Sequence, residues 1–352
     1  MCHRARDTRG RTFCGPRPWD RLSAGATIPA RTSPLETTTT DPDLTGSTVS
    51  HYEVLERIGT GGMGVVYKAR DTALNRFVAL KFLPSRLTGD EEATRRFVEE
   101  ARTASALDHA HICTIHEISQ TDGGLLFMVM SYVPGETLKE RTARGPLPVE
   151  DALDIAIQVT EGLMEAHEHG IAHRDIKPGN VLITPEDRVK IVDFGLASLV
   201  GLPPENKPGL FMGTLLYMSP EQLRNEPVDH RSDIWSLGVT MYEMLAGRPP
   251  FGTSDDQPVV HAILYEAPRP LVELRPDVPA ELASIIDRCL RKDRAERHRL
   301  AVDLYRDLVR CRRNLVRAST AALHQASSTS HAPVPAPRRG LAALARRLFS
   351  RR

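Results

Sequence analysis

The chain has 352 residues, 41% of them apolar and 26% charged, with a formal net charge of +1. That is material for a sizeable buried core in one large domain or two modest ones, and near-neutrality gives no global signal for nucleic acid or an acidic partner. Five scattered cysteines (Cys2, Cys14, Cys113, Cys289 and Cys311) include no Cys-x-x-Cys pair, so neither a disulfide framework nor a zinc site is indicated, which fits a reducing cytoplasm.

Residues 1–51 are rich in Arg, Thr, Pro and Gly and carry too little apolar surface to offset ordering entropy, so they read as a disordered arm. From Tyr52 to Phe82 the β-branched and aromatic content rises, with turn signals at Gly61-Gly62 and Asn75, which predicts three antiparallel strands. Residues 90–107 switch to helical spacing, with Ala93, Phe97, Ala101 and Ala104 on one face, and 125–132 return to strand. After Pro148 a long amphipathic helix is expected, with Ala152, Ile155, Ala156, Val159, Leu163 and Ala166 as its stripe and Gly170 as its C′ residue. Helical periodicity returns over 233–245 and from Glu281 to about Leu308. Sheet first and helices later argue for two unlike lobes packed together, whose cleft is the natural ligand site.

Residues 313–339 are Ala-, Ser-, Thr- and Pro-rich and read as a linker. In 340–352, Leu341, Leu344, Leu348 and Phe349 fall largely on one helical side, away from Arg346, Arg347 and Arg351. A basic amphipathic helix in weak contact with an anionic membrane surface is weighed there against a plain solvated tail. No run approaches the ~18 consecutive apolar residues that would span a bilayer. His109, His111, Cys113 and His116 lie close in sequence, but their spacing matches no recognisable ligand pattern and a structural role is expected.

The stretch His173-Arg174-Asp175-Ile176-Lys177-Pro178-Gly179-Asn180 and, further on, Asp193-Phe194-Gly195 supply three groups that phosphoryl transfer from ATP needs: a carboxylate beside the incoming hydroxyl and two oxygen ligands for magnesium. Upstream, Gly59-Thr60-Gly61-Gly62-Met63-Gly64 precedes Val65-Val66-Tyr67, and Val78-Ala79-Leu80-Lys81 follows. Because the chain continues as strand after Gly64, and no Gly-Lys-Ser/Thr follows, the glycines read as a hairpin tip and not as a dinucleotide or Walker motif. The four motifs, in this order, resemble those of the eukaryotic-type (Hanks-type) protein kinases, and Gly-Gly-Met-Gly-Val-Val-Tyr-Lys-Ala with Tyr-Met-Ser-Pro-Glu-Gln looks most like the bacterial serine/threonine members.

That resemblance covers nearly three-quarters of the chain. It implies an α+β, two-lobed protein-kinase-like fold over 52–312, with a small antiparallel sheet and one helix in the N-lobe (52–132) and a larger, mostly helical C-lobe (133–312). It implies transfer of the γ-phosphoryl of Mg-ATP to protein Ser/Thr hydroxyls, autophosphorylation included, in signal transduction. Mg2+ is the expected metal, with Mn2+ as an alternative; nucleic acid is not an expected partner, and dimerisation is compatible. The expected location is the cytoplasm, with a peripheral position at the inner membrane face as the alternative.

Residue by residue, the resemblance makes Asp175 the catalytic base and Lys177 a neutraliser of charge on the transferring group, a lysine that goes with Ser/Thr specificity. Asn180 and Asp193 would bind the metal. ATP would be held by Ile58, Gly59, Thr60, Gly61, Gly62, Met63, Gly64, Val65 and Val66, by Lys81 on the phosphates, by Glu100 holding Lys81 (Glu99 being the solvated alternative), and by Met130 and Val133 at the hinge. The family usually has an acidic residue where this chain has Ser131. Glu221 would pair with Arg297, and Asp233 to Gly238 would form a buried helix supporting the catalytic loop. Between Leu199 and Met212 there is no Ser, Thr or Tyr, so activation by phosphorylation of that segment is doubtful and Arg174 is expected to have a local carboxylate partner instead. Two rival functions are a nucleotide-binding pseudokinase or scaffold and a small-molecule phosphotransferase of the same fold.

Overall fold

The computed structural model describes residues 43–61, 64–83, 94–95, 98, 101–102, 104–194, 212–252 and 259–329. The N-lobe is an antiparallel sheet of six strands in the order β1-β2-β3-β4-β6-β5: β1 (Thr48–Val49), β2 (Tyr52–Gly61), β3 (Gly64–Asp71), β4 (Arg76–Phe82), β5 (Ile115–Gln120) and β6 (Leu126–Ser131). Strand alternation explains its two faces. Val78, Leu80 and Phe82 of β4 pack with Tyr52, Tyr67 and Phe127 in one core, whereas Ala79 joins Met128, Met130 and Ala101 on the other side. Lys81 shares the Ala79 face and is buried with it, which aims a cation at the rest of the molecule. Residues 101–102 and 104–105 are helical, with Ala101 and Ala104 buried as expected.

The sheet is larger than the sequence suggested, because β1 and β5 were not anticipated. Folded structure is also present before Tyr52: Val49 is buried against Tyr52 and Val54, so residues 43–51 of the expected arm belong to the folded unit.

The C-lobe is built on two long helices. Val149–Glu168 buries the expected stripe and ends at His169, after which Gly170 adopts φ +74°. Arg231–Ala246 is buried on almost every side, from Ser232 to Tyr242 without interruption. Trp235 on that helix stacks on Phe251 with centroids 5.5 Å apart, beneath the Lys292 and Arg297 cations. A small sheet of β7 (Glu136–Thr137), β8 (Val181–Ile183) and β9 (Val189–Ile191) lies beside the catalytic segment. The expected run from Glu281 to Leu308 is two helices, Ala280–Cys289 and Ala301–Thr329, separated by a turn containing Arg294–Glu296. The second continues to Thr329, so the first part of the expected linker is helix. Among the described residues no helix is long and apolar enough to cross a membrane.

Candidate active site

The Asp175 loop is shaped by a single buried carboxylate. Asp233, on the Arg231–Ala246 helix, has no exposed surface, and its oxygens accept from the backbone N–H of His173 (2.8 Å), the backbone N–H of Arg174 (2.7 Å) and His167 Nε2 (2.8 Å). Burial alone would raise its pKa, but the His167 and amide donors outweigh that and hold it below the ordinary carboxylate value. Arg174 is thereby kept at φ +66°, a costly conformation for a residue with a Cβ. His173 is fixed from both nitrogens, Nε2 to Val192 O at 3.0 Å and Nδ1 accepting from the Asp175 N–H at 3.2 Å. Its ring lies 4.5 Å from that of Phe194.

Asp175 is buried, and one of its oxygens is fully engaged. Oδ2 accepts from Lys177 Nζ at 2.7 Å and Asn180 Nδ2 at 2.9 Å. Oδ1 is buried with no hydrogen-bond partner among the described residues. Lys177 Nζ also donates to Thr214 Oγ1 at 2.9 Å, tying in a residue 37 positions away. Asn180 spends its amide N–H groups on the Asp175 carboxylate and carbonyl, while its Oδ1 accepts no hydrogen bond among the described residues.

Asp193 reaches the same place from the β9 side. Asn180 O accepts from the Val192 N–H at 3.0 Å, which places the two oxygen-bearing residues on adjoining segments, and Asp193 has φ +64°. Its Oδ1 lies 2.7 Å from Lys81 Nζ, and the lysine side chain is 3% exposed against 20% for the aspartate. A carboxylate and a free amide oxygen on adjacent segments are hard ligands suited to a divalent cation.

In the sheet beside Lys81, which pairs with Val66, β2 and β3 form a hairpin closed by the Gly61–Gly64 pair, with Gly59 opposite Val66 and Thr60 opposite Val65. Gly64 has φ +121°, which favours a residue without a Cβ. Ile58 is 45% exposed. Val66 and Val133 pack with Ala79 and Met130, giving the space between sheet and C-lobe an apolar wall. Met130 also lines a narrow cavity with Cys113, Ile115, Met128, Asp193 and Phe194. Burial, and next the Asp193 charge, push the Cys113 thiol up to about 12, so it is a packing residue and no nucleophile.

The protein kinase domain family matches residues 52–305. The chain belongs to that family. Among similar proteins, the serine/threonine-protein kinase PknA of Mycobacterium tuberculosis is 40% identical over 260 residues, covering 72% of this chain and 60% of the relative. PrkC of Bacillus subtilis is 38% identical over 268 residues, 75% of this chain and 41% of that one. The kinase domain of M. tuberculosis PknI superposes with a TM-score of 0.61 at 31% identity, covering 76% of this chain and 98% of that structure. The chain thus spans less than two-thirds of the length of these curated relatives.

The kinase domain brings Lys81, Asp175, Lys177, Asn180 and Asp193 into one connected cluster. Gly62, Met63 and Glu100 lie outside the described residues, as does the segment from Leu199 to the residue before Met212. Glu221 pairs with Arg297 as expected, in two bonds of 2.8 and 2.7 Å. One expectation is not met: the Arg174 side chain is exposed and has no ion-pair partner among the described residues, its anchoring to Asp233 being through the backbone. At the hinge, Ser131 Oγ meets His116 Nε2 at 3.1 Å in place of the usual acid. His111 pairs with Glu161 at 3.1 Å, so the neighbouring histidines serve separate contacts. Sequence reasoning did not single out His167, Gln222 or the hydroxyl role of Thr214, because none is close in sequence to its partner.

Proposed function

We propose that this chain is a serine/threonine protein kinase that transfers the γ-phosphoryl of ATP to Ser and Thr hydroxyls of protein substrates, itself included, in signal transduction. The observation that carries the proposal is Asp175 Oδ1, buried and without a partner among the described residues. A buried acceptor without a donor is costly, and a substrate hydroxyl is the donor that would complete it. Deprotonation toward Asp175 accompanies formation of the new O–P bond as the bond to the ADP oxygen breaks. Lys177, between Asp175 and Thr214, is placed to offset negative charge on the group in transit.

ATP would lie under the β2–β3 hairpin, with Lys81 on its phosphates and its base between Ile58, Val65, Val66, Met130 and Val133. Asn180 and Asp193 would hold a divalent cation, Mg2+ or Mn2+, which when bound neutralises phosphate charge. Little covalent assistance is needed in such a reaction; positioning and electrostatics supply the rate. A cytoplasmic location, where ATP is supplied, suits the proposed activity, with a peripheral position at the inner membrane face as the alternative.

The test is a radiolabelled-ATP assay on the full chain with generic protein acceptors, wild type beside Asp175→Asn. Wild type should label protein Ser/Thr, and the variant should turn over at least ~10²-fold more slowly while still binding ATP. Nucleotide binding without any transfer would favour the scaffold reading, and transfer confined to metabolites would favour the small-molecule phosphotransferase.

A further inference from the structure

The four-residue helix Pro220–Leu223 reaches back to the catalytic loop through one side chain. Ser219 and Gln222 form a capping box: the Ser219 N–H donates to Gln222 Oε1 at 2.9 Å, and the Gln222 N–H donates to Ser219 Oγ at 3.3 Å. The other half of the same amide does something capping does not require. Gln222 Nε2 donates to the backbone carbonyl of Arg174 at 2.9 Å, across 48 positions of sequence. One face needs an acceptor and the other a donor, so the amide has a single workable orientation.

The carbonyl it meets belongs to the peptide that leads into Asp175. The N–H of that peptide faces His173 Nδ1, and the N–H of Arg174 itself donates to Asp233 Oδ1. With φ at +66°, Arg174 would relax if those bonds were lost. A glutamate would satisfy the capping box as well as glutamine does, since only an oxygen is used there. The donor half of Gln222 is therefore explained by the Arg174 carbonyl alone.

We propose that Gln222 is a positioning residue for phosphoryl transfer: through the Arg174 carbonyl its amide sets the orientation of the peptide that carries Asp175, and so links the Ser219–Leu223 segment to the base. This rests on the kinase reading above. It assigns Gln222 no contact with substrate or nucleotide, so its effect falls on turnover and not on ATP affinity.

Two variants of the full chain separate positioning from capping. Gln222→Glu keeps the capping oxygen and replaces the donor by an acceptor facing a carbonyl. Ser219→Ala weakens the cap and leaves the Gln222–Arg174 bond. Each is assayed with radiolabelled Mg-ATP and myelin basic protein, beside its thermal midpoint. Gln222→Glu should stay folded, melt no lower than Ser219→Ala and keep the wild-type ATP KM while kcat falls about tenfold. Ser219→Ala should melt lower with kcat unchanged. Gln222→Met, which removes both amide contacts, should lose at least as much kcat and serves if the glutamate variant does not fold. Wild-type kcat in Gln222→Glu or Gln222→Met overturns the proposal, as does a kcat loss in Ser219→Ala equal to that in Gln222→Glu. A wild-type protein that transfers no phosphate would instead refute the kinase reading.

Discussion

Replacing Asp233 by Asn changes one oxygen of a fully buried side chain to an NH2 group and nothing else in shape. In the better of its two orientations the amide oxygen occupies the Oδ2 position, keeping the His173 N–H and His167, and the new NH2 faces the Arg174 N–H, donor against donor. Losing one charge-assisted bond and stranding a buried donor costs about 2–4 kcal/mol. At roughly 2–4 °C per kcal/mol for a domain of this size, the thermal midpoint should fall by about 10 °C. The same change releases the bond that keeps Arg174 at φ +66°, immediately before Asp175. A displacement of ~1 Å at the base is worth about 10²-fold in rate, so kcat should drop by about that factor. The ATP KM should hold, because Lys81 and the β2–β3 hairpin do not touch Asp233. The folded-state pKa of Asp233 is depressed, so its contribution is present above the unfolded value of about 3.9 and lost as pH falls through the folded one. The variant should therefore show a flatter acid limb in its stability profile. Calorimetry, steady-state kinetics and circular dichroism across pH 3–7 read all three. A variant that melts like wild type with kcat within twofold would refute the view that this carboxylate organises the loop.

Two further perturbations test the frame around the site. Arg297→Met removes a guanidinium whose side chain is fully buried against Glu221, itself held below its ordinary pKa by Arg297 and the Ser232 hydroxyl against the opposing effect of burial. The stranded carboxylate should cost about 3–5 kcal/mol in urea unfolding, and Glu221→Gln/Arg297→Met should recover part of it; a loss under about 1 kcal/mol would contradict the pair's role. Lys292 is half-buried over Phe251, and burial lowers its pKa to about 8 although it donates to the Ala262 and Ile263 carbonyls. Between that value and the unfolded value near 10.4 the unfolded chain binds more protons, so stability from this group rises from about pH 8 to 10. Lys292→Met should remove that rise, and an unchanged slope would mean the lysine is not perturbed.

How much of this was legible in the sequence depended on distance along the chain. His173 to Asn180 packs base, lysine and amide into eight residues, so their mutual bonds follow once the loop is recognised. Hydrophobic runs gave the β2–β4 and β6 strands and the two long C-lobe helices. Strand β5, Ile-His-Glu-Ile-Ser-Gln, was missed because its alternation is blunted by polar side chains and none of its six residues is fully buried. The helical extension to Thr329 was read as linker because Ser and Thr suggested one, while Ala318, Ala321, Ala322 and Ala326 supply helix propensity with little hydrophobic signal. Contacts such as Gln222 to Arg174 and Lys177 to Thr214 join positions 48 and 37 apart, and no local pattern encodes them.

The two halves of the site are built differently, and that difference should appear in kinetics. The Asp175 loop hangs from a helix buried on nearly every side, and its left-handed residue, Arg174, is held by hydrogen bonds from within the C-lobe. Such an element has few alternative arrangements, because moving it means opening a close-packed core. The hairpin over the proposed nucleotide site hangs instead from a sheet, with Leu55 and Ile58 exposed and Lys81 linked to the C-lobe, among the described residues, by its ion pair to Asp193. Substitutions on the Asp233 side should therefore alter kcat at constant ATP KM, and those in the hairpin should alter KM first. That separation follows from where each half is anchored, irrespective of which protein supplies the hydroxyl.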